Sequence, residues 1–217
     1  MIELAAEFRR THGLTIAPIF DTAGATLQHF LADRSATLLI TTRTLIRDAG
    51  KTGGLSAGIT RILGDTVAGF AATPGLVKPD LSTPEKLRTA LLAAPRIVFS
   101  DPARGATVGK HFLHVIETLG IRQEVLAKSV LARDGLETMR SVLAGEADLG
   151  VTQISEIVQA DPSALVGPFP EEHDLATTYA LWYRDNGSPE APAFASLIAG
   201  SSGRAKLKQY GLRLASE

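Results

Sequence analysis

The chain has 217 residues, 45% of them hydrophobic and 21% charged, so it can bury a sizeable core and is not disordered. Its 22 Lys and Arg nearly balance its 23 Asp and Glu, and no basic run offers an electrostatic footprint for nucleic acid. Cysteine is absent, which excludes disulfides, thiolate catalysis and Cys-ligated zinc, and no apolar stretch reaches the length of a membrane span.

The first half of the chain predicts an alternation of helices and strands. Apolar residues at helical spacing predict an opening helix that ends with Gly13 as its C-cap. LTIAPIF alternates like a strand, DTAGA is a turn, ATLQHFLA predicts a helix and ATLLITT a short strand. After a glycine-rich loop, DTVAGFAA predicts another strand, and a helix begins with Thr83 as N-cap and Pro84 as its first residue.

The second half continues the same alternation. RIVFS, KSVLA and DLGVTQ predict strands, and these are followed by helices over about 107–119, GLETMRSVLAG and ISEIVQ. TTYALWYR predicts an extended strand, and residues 191–211 predict two further helices. The pattern indicates an α/β fold with mainly parallel strands and helices on both faces of the sheet.

Three junctions share one design: a strand end, a turn of small or hydroxyl residues, and a helix start. They begin at Asp21, Ser100 and Thr152. A helix N-terminus offers unpaired N–H groups and a partial positive charge, so each junction suits a carboxylate or another oxyanion. For any one junction taken alone, simple capping of the helix by Thr22, Ser100 or Ser155 is the preferred explanation, and only the three together favour an anion.

Other chemistries find less support in the sequence. Arg104 and His111 stand where a nucleotide P-loop needs Gly and Ser or Thr, and no strand is followed by G-x-G-x-x-G. The five histidines lack metal-site spacing, so we expect neither a metal nor a cofactor. No Ser-His-Asp or paired-carboxylate arrangement can be asserted from spacing, and the residues alone do not demand an enzyme.

Several of these motifs resemble one known family. GEADLGVTQISEI followed by LVGPFPEE, FSDPARGATVGKHFLHVIETLGI and FDTAGATLQHFL are similar to segments of the type 2 periplasmic solute-binding proteins, in the molybdate-binding-protein-like branch. The resemblance runs over nearly the whole chain. It implies two Rossmann-like lobes joined by two hinge strands, with the ligand in the cleft between them. Lobe 1 would comprise residues 1–71 and 180–217, and lobe 2 residues 72–179.

The resemblance also implies a set of ligand-binding residues. They are Thr22, Ala23 and Gly24 in lobe 1, and Ser100, Arg104, Gly105, Ala106, Thr107, Gln153 and Ser155 in lobe 2. Gln153 stands where molybdate binders place a tyrosine, and Arg104 lies beside the turn. This departure favours a planar carboxylate over a tetrahedral metal oxyanion, because an Arg fork matches a carboxylate.

Three functions stay open at this point. The first is a solute-binding protein that delivers a small anion to the permease of an ABC-type transporter, acting as a monomer without membrane insertion. The second is suggested by the subgroup that includes aconitate isomerase: an enzyme that shifts a double bond in a tricarboxylate, with His111 or Glu156 as base. The third, a cytoplasmic regulatory domain with the same cleft, is disfavoured because no helix-turn-helix precedes it.

The family pattern begins with a strand upstream of the helix that starts here at Ile2. The sequence therefore predicts a lobe that lacks its first strand, and we favour a start assigned too late, with a signal peptide and strand preceding it. The resemblance implies a periplasmic protein, whereas no signal peptide is visible in the printed chain, so a true start at Met1 would imply the cytoplasm.

Overall fold

The computed structural model describes residues 1–184 and 189–214. Its contacts divide the chain into two compact units, which are described separately: unit 1 comprises Met1–Asp65 and Thr178–Glu217, and unit 2 comprises Thr66–Thr177. The boundaries expected from the sequence, near residues 71 and 180, stay a prediction. Within the predicted segment 180–217, residues 185–188 and 215–217 lie outside the described part of the chain.

Unit 1 is built from helices on both faces of a small sheet. Strand β1 pairs antiparallel with β7, from Leu38 opposite Tyr183 to Thr42 opposite Tyr179, and β7 lies next to β2. The elements of this unit are α1 Ile2–His12, α2 Ala23–Ala32, β1 Leu38–Thr42, α3 Arg43–Lys51, the first part of β2 Gly58–Ala72, the end of β7 Ala176–Arg184, α9 Glu190–Ala199 and α10 Ser201–Gln209.

The two faces of the unit 1 sheet bury separate cores. Because successive side chains of a strand point to opposite faces, Leu181 and Trp182 of β7 enter different clusters. Leu181 packs with Phe8 of α1 and Phe194 of α9, whereas Trp182 packs with Phe30 of α2. The alternating apolar pattern of the sequence thus fixes which helices cover which face.

Unit 2 contains the larger sheet, in the order β2-β5-β3-β4, and β6 also pairs with β2. Its elements are the second part of β2, α4 Pro84–Ala93, β3 Ile97–Ser100, α5 Thr107–Thr118, α6 Arg122–Leu126, β4 Ser129–Ala132, α7 Gly135–Leu143, β5 Leu149–Gln153, α8 Ile154–Ala160, β6 Leu165–Pro168 and the first residues of β7. A 3₁₀ turn, Pro102–Arg104, connects β3 to α5.

The pairing in these sheets is mixed rather than mainly parallel. Strand β3 is parallel to both β4 and β5, as the alternation of strands and helices predicts. The pairs β1–β7, β2–β5 and β2–β6 are antiparallel. Parallel neighbours need a crossover, which helices supply between β3, β4 and β5, whereas β2 and β7 run from one unit into the other.

Unit 2 also separates its core by strand alternation. Phe99 of β3 and Val151 of β5 pack with Phe112 of α5 on one face. Val98 of β3 packs with Met139 of α7 on the other face. The unit therefore has an α4–α5–α6 face and an α7–α8 face, and the position of each polar residue on β3 or β5 can be assigned to one of them.

The predicted helix ends are confirmed at two places. Gly13 ends α1 in the left-handed conformation, with φ 71°, and its N–H donates to the Arg9 carbonyl. Thr83 caps α4 by accepting a hydrogen bond from the Lys86 N–H, and Pro84 occupies the first turn.

The predicted strand LTIAPIF is wrong. Residues 14–20 belong to no strand in the structure, and Ile19 and Phe20 are largely exposed. No strand among the described residues pairs with this alternating segment, and Pro18 has no N–H to donate to a neighbouring strand. The absence of an initial strand, expected from the resemblance, stays a prediction.

Candidate functional site

The junction between β3 and α5 carries the candidate anion-binding turn of unit 2. The Asp101 carboxylate accepts a hydrogen bond from the Ala103 N–H at 2.9 Å and so begins the 3₁₀ turn. Gly105 follows in the left-handed conformation, with φ 80°, which a residue with a side chain rarely adopts. The chain can then reverse sharply and start α5 at Thr107.

The first turn of α5 has no side-chain cap. Ala106 occupies the N-cap position, and no acidic residue lies in the first turn. The first intrahelical bond runs from the Lys110 N–H to the Ala106 carbonyl, so the amides of residues 106–109 have no intrahelical partner. Arg104 lies exposed two residues before Ala106. The hydrogen-bond donors and the helix dipole at this first turn thus suit an anion.

The position of this turn is fixed by Gly109. A Cβ added at Gly109 would lie far inside van der Waals contact of the Ser100 carbonyl oxygen. The first turn of α5 therefore lies directly against the end of β3. The Ser100 hydroxyl itself is buried and lies 3.3 Å from the Thr138 hydroxyl of α7, so its side chain faces away from α5.

At the junction between β5 and α8, Gln153 shares the α5 side of the sheet. Its side chain alternates with that of Thr152 and so lies on the same face as Val151. The residue is only 5% exposed, and its Oε1 atom has no partner among the described residues. The Ser155 hydroxyl accepts a hydrogen bond from the Thr66 hydroxyl at 3.0 Å.

Glu156 lies in the first turn of α8, at the same junction, and its carboxylate is enclosed by neighbouring groups. The carboxylate accepts hydrogen bonds from the Thr152 hydroxyl and, at 3.2 Å, from the Gln153 N–H. Burial raises the pKa of Glu156, these two donors oppose the rise, and the nearby Asp134 charge adds to it. Gly135 leaves the space that the carboxylate fills, because a Cβ there would overlap it.

His111, the other candidate base, is engaged in a backbone contact. Its Nε2 lies 2.7 Å from the His173 carbonyl oxygen, which requires a proton on Nε2, and its ring meets Phe169 edge to face. The contact fastens the 3₁₀ turn Glu171–His173 to α5. The remaining nitrogen, Nδ1, is the atom that proton abstraction would have to use.

The junction before α2 differs from that before α5. The Thr22 hydroxyl accepts a hydrogen bond from the Ala25 N–H at 3.3 Å and caps the helix. The Asp21 carboxylate accepts a hydrogen bond from the Thr22 N–H at 2.8 Å and lies 3.1 Å from the His29 ring. The Ala23 carbonyl accepts a hydrogen bond from the Thr41 hydroxyl. Both turns contain an aspartate, so the difference lies in the side-chain cap, which α2 has and α5 lacks.

Sequence reasoning assigned no site role to three residues that lie at helix starts. The Asp134 carboxylate accepts a hydrogen bond from the Glu137 N–H and caps α7, and Gly109 and Gly135 leave the space for close contacts at the starts of α5 and α7. The Asp before a hydroxyl or glycine at a helix start is a capping signal that the sequence offered. The need for glycine depends on tertiary contacts and has no local signal.

Two kinds of site receive no support. No group of three His, Asp or Glu residues within 1–184 and 189–214 is placed to hold a metal ion. In that same part of the chain, no helix has the length and apolar character needed to cross a bilayer.

Comparisons with known proteins point to one family. The model of the family described as "Bacterial extracellular solute-binding protein" matches residues 1–213. An aconitate isomerase from Pseudomonas sp is 26% identical over 157 residues, which cover 70% of this chain and 57% of that protein. The match thus spans little more than half the length of this relative.

Solved structures share the fold. The periplasmic molybdate-binding protein of Azotobacter vinelandii has a TM-score of 0.77 and 17% identity, over 99% of this chain and 94% of that chain. A putative phosphate ABC transporter substrate-binding protein from Clostridium perfringens, with bound phosphate, has a TM-score of 0.72 and 13% identity over the same shares. At these identities the similarity establishes the α/β binding-protein fold alone.

Proposed function

The chain belongs to the bacterial extracellular solute-binding proteins, and we propose that it binds a small anion without converting it. The observation that carries the proposal is the first turn of α5, which has no side-chain cap, no acidic residue and amides without an intrahelical partner. Gly105, Ala106 and Thr107 would hold the anion through their backbone.

The preferred ligand is a carboxylate. The guanidinium of Arg104 can bind a carboxylate through two parallel hydrogen bonds, which a tetrahedral oxyanion matches less well. Gln153, on the α5 face of the sheet, would add an amide contact to the same group. The hydroxyls of Ser100 and Ser155 are already engaged within unit 2, with Thr138 and Thr66 respectively, so we do not propose them as direct ligand contacts. At the start of α2 in unit 1, Thr22, Ala23 and Gly24 stay predicted ligand-binding residues.

The protein would act outside the cytoplasm and deliver its ligand to the permease of an ABC-type transporter. The description of the family as extracellular supports this location. The chain itself would then need only reversible binding, and no cofactor enters the proposal.

A thermal-shift screen tests the proposal. Citrate, both aconitate isomers, phosphate, sulfate, molybdate and tungstate are added separately to the protein. A ligand at about 100 times its dissociation constant stabilises the fold by roughly 2.7 kcal/mol, which gives a shift of several degrees. We expect the largest shift with a carboxylate, and no shift with any of these anions would contradict the proposal.

The similarity to aconitate isomerase favours one alternative, a double-bond shift in a tricarboxylate. It would need a free base, whereas the Glu156 carboxylate accepts two hydrogen bonds and His111 Nε2 donates one. Incubation with each aconitate isomer, followed by NMR, separates the two functions. We expect a thermal shift without turnover; turnover that His111→Ala or Glu156→Gln abolishes would establish the isomerase.

A further inference from the structure

Two side-chain atoms in unit 2 are buried without a hydrogen-bond partner among the described residues. They are Oε1 of Gln153, a residue that is 5% exposed, and Oγ1 of Thr177, a residue that is 6% exposed. The Glu156 N–H faces the Gln153 side chain as in a capping box, but no cap hydrogen bond forms there. A buried polar atom without a partner costs free energy, so both atoms favour a partner that these residues do not supply.

The two atoms belong to side chains on one face of the unit 2 sheet. Gln153 of β5 pairs with Ala68 of β2, and on the other side of β2 the Ala68 N–H donates to the Leu175 carbonyl. Ala68 and Leu175 both pack in the core that α5 covers, and Thr177 follows Leu175 by two residues. Because the side chains of a strand alternate, Gln153 and Thr177 face the α5 side from the two strands that flank β2.

The helix that carries the proposed binding turn contacts both of these chain segments. On one side, α5 packs against β5, the strand that ends at Gln153. On the other side, His111 in the second turn of α5 places its Nε2 2.7 Å from the carbonyl oxygen of His173, four residues before Thr177. The two unpaired atoms and the first turn of α5 therefore belong to the same region of unit 2.

The chemistry of the two atoms suits a hydroxyl group. Oε1 of a glutamine amide only accepts hydrogen bonds, whereas a threonine hydroxyl donates or accepts. One hydroxyl can therefore donate to Gln153 Oε1 and accept from the Thr177 hydroxyl. A carboxylate has no proton for Oε1, and an ammonium group would be buried between two uncharged side chains that offer no counter-charge. The hydroxyls of Thr66 and Ser155, at the same end of β5, already bond to each other.

We propose that the ligand is a hydroxycarboxylate, whose hydroxyl binds Gln153 Oε1 and Thr177 Oγ1 while its carboxylate binds the first turn of α5. The inference rests on the proposed function, which supplies the carboxylate, and it adds the ligand class and a further binding residue, Thr177. The two ends of the Gln153 amide serve both groups: its NH₂ donates to the carboxylate and its Oε1 accepts from the hydroxyl. Since both protein atoms are already buried, the hydroxyl gains their hydrogen bonds without displacing water from them.

Calorimetric titration of the whole chain with matched acids tests the proposal. Three pairs of acids differ by one hydroxyl: lactate and propionate, malate and succinate, and citrate and tricarballylate. In the pair that binds best, we expect the hydroxy acid to bind at least about tenfold more tightly than its partner, because it gains hydrogen bonds in an enclosed place. Aspartate, which carries an ammonium group where malate carries the hydroxyl, should bind more weakly than malate.

Variants at Thr177 test the contact itself. Thr177→Val removes the hydroxyl and should lower the ratio of the two affinities about fivefold or more, whereas Thr177→Ser keeps the hydroxyl and should preserve the ratio. Thr178→Val is the matched control, because it makes the same substitution one residue later, on the opposite face of β7. Since the Thr177 hydroxyl has no partner among the described residues, Thr177→Val should fold with an unchanged or higher thermal midpoint.

The outcomes separate this inference from the proposed function. Equal affinities within every pair that binds, or an unchanged ratio in Thr177→Val, would overturn the hydroxyl contact and leave carboxylate binding intact. Tighter binding of aspartate than of malate would overturn it as well. A lower midpoint or loss of folding in Thr177→Val would mean that the hydroxyl is paired within the fold, which removes the basis of the inference. Binding of none of these carboxylates would overturn the proposed function itself.

Discussion

The sequence predicts the same strand–turn–helix pattern at the starts of α2 and α5, but no strand precedes α2 in the structure, and the two helix starts differ in capping. In unit 1, the Thr22 hydroxyl caps α2 and the Asp21 carboxylate accepts the hydrogen bond of the Thr22 N–H. In unit 2, α5 begins without a side-chain cap, and Arg104 precedes it. A shared sequence pattern therefore does not imply a shared ligand preference. The residues just before each helix decide whether its amides are available to an anion.

The largest effect should come from Gly109→Ala. The new Cβ would overlap the Ser100 carbonyl, so the first turn of α5 must move away from β3. We expect a loss of about 3 kcal/mol in the free energy of unfolding and loss of anion binding. Urea denaturation and calorimetric titration measure the two effects.

Gly167→Ala is the control for this change. A Cβ at Gly167 meets no atom within 4 Å, so we expect a change of less than about 1 kcal/mol. Similar losses in both variants would mean that α5 does not depend on close contact with β3.

Replacement of one charged residue at each junction tests the contrast between the starts of α2 and α5. Arg104→Ala should weaken anion binding about tenfold or more, because a charged hydrogen-bond donor is lost. Asp21→Asn should leave the affinity unchanged or increase it, since it removes a negative charge near α2. Calorimetric titration of both variants measures the anion affinity. A greater loss of affinity in Asp21→Asn than in Arg104→Ala would contradict the assignment of the anion to unit 2.

Glu156 should make the stability of the protein depend on pH. Its pKa is raised in the folded state, so the stability it contributes is present below its ordinary pKa of about 4.3 and is lost as the pH rises through the folded pKa. Glu156→Gln should therefore gain stability relative to the natural protein as the pH increases over this window. Urea denaturation at a series of pH values measures the difference.

Glu85 provides a control, because its contribution to stability changes with pH in the opposite direction. Hydrogen bonds from its own amide and from the Thr83 side chain lower the pKa of this exposed carboxylate. Its contribution is thus lost as the pH falls, and Glu85→Gln should lose stability relative to the natural protein as the pH increases. A pH-independent difference for Glu156→Gln would indicate that its carboxylate is not desolvated.

The smallest effect should come from the caps. Thr22→Ala and Thr83→Ala each remove a hydroxyl that accepts the N–H three residues later, at 3.3 Å in both helices. We expect the free energy of unfolding to fall by about 1 kcal/mol in each case, as measured by urea denaturation. An additional loss of anion affinity greater than about tenfold in Thr22→Ala would place the principal contact in unit 1.

Local signals predicted most helices and strands of this protein, but not α3 Arg43–Lys51, α6 Arg122–Leu126 or β6 Leu165–Pro168. Gly13 ends α1 and Thr83 begins α4, as the sequence predicts, because capping involves only neighbouring residues. The strand predicted at 14–20 failed, since strand formation also needs a partner, which periodicity cannot reveal.

The candidate site was less predictable than the fold. The sequence identified the turn of residues 104–107, but the direction of the Ser100 hydroxyl toward Thr138 follows from the alternation of β3 in the folded sheet. The buried carboxylate of Glu156 likewise depends on the empty side-chain position of Gly135, twenty-one residues earlier. Such contacts between distant residues leave no pattern in a single sequence.

One pair of variants tests the central claim most directly. Thr107→Pro and Ala23→Pro each remove the amide of the first helical residue, a position that tolerates proline, in α5 and α2 respectively. Thr107→Ala controls for loss of the hydroxyl. In calorimetric titrations with the best anion of the screen, we predict a loss of affinity of about tenfold or more for Thr107→Pro and a smaller loss for Ala23→Pro. Unchanged affinity in folded Thr107→Pro would contradict anion binding by α5.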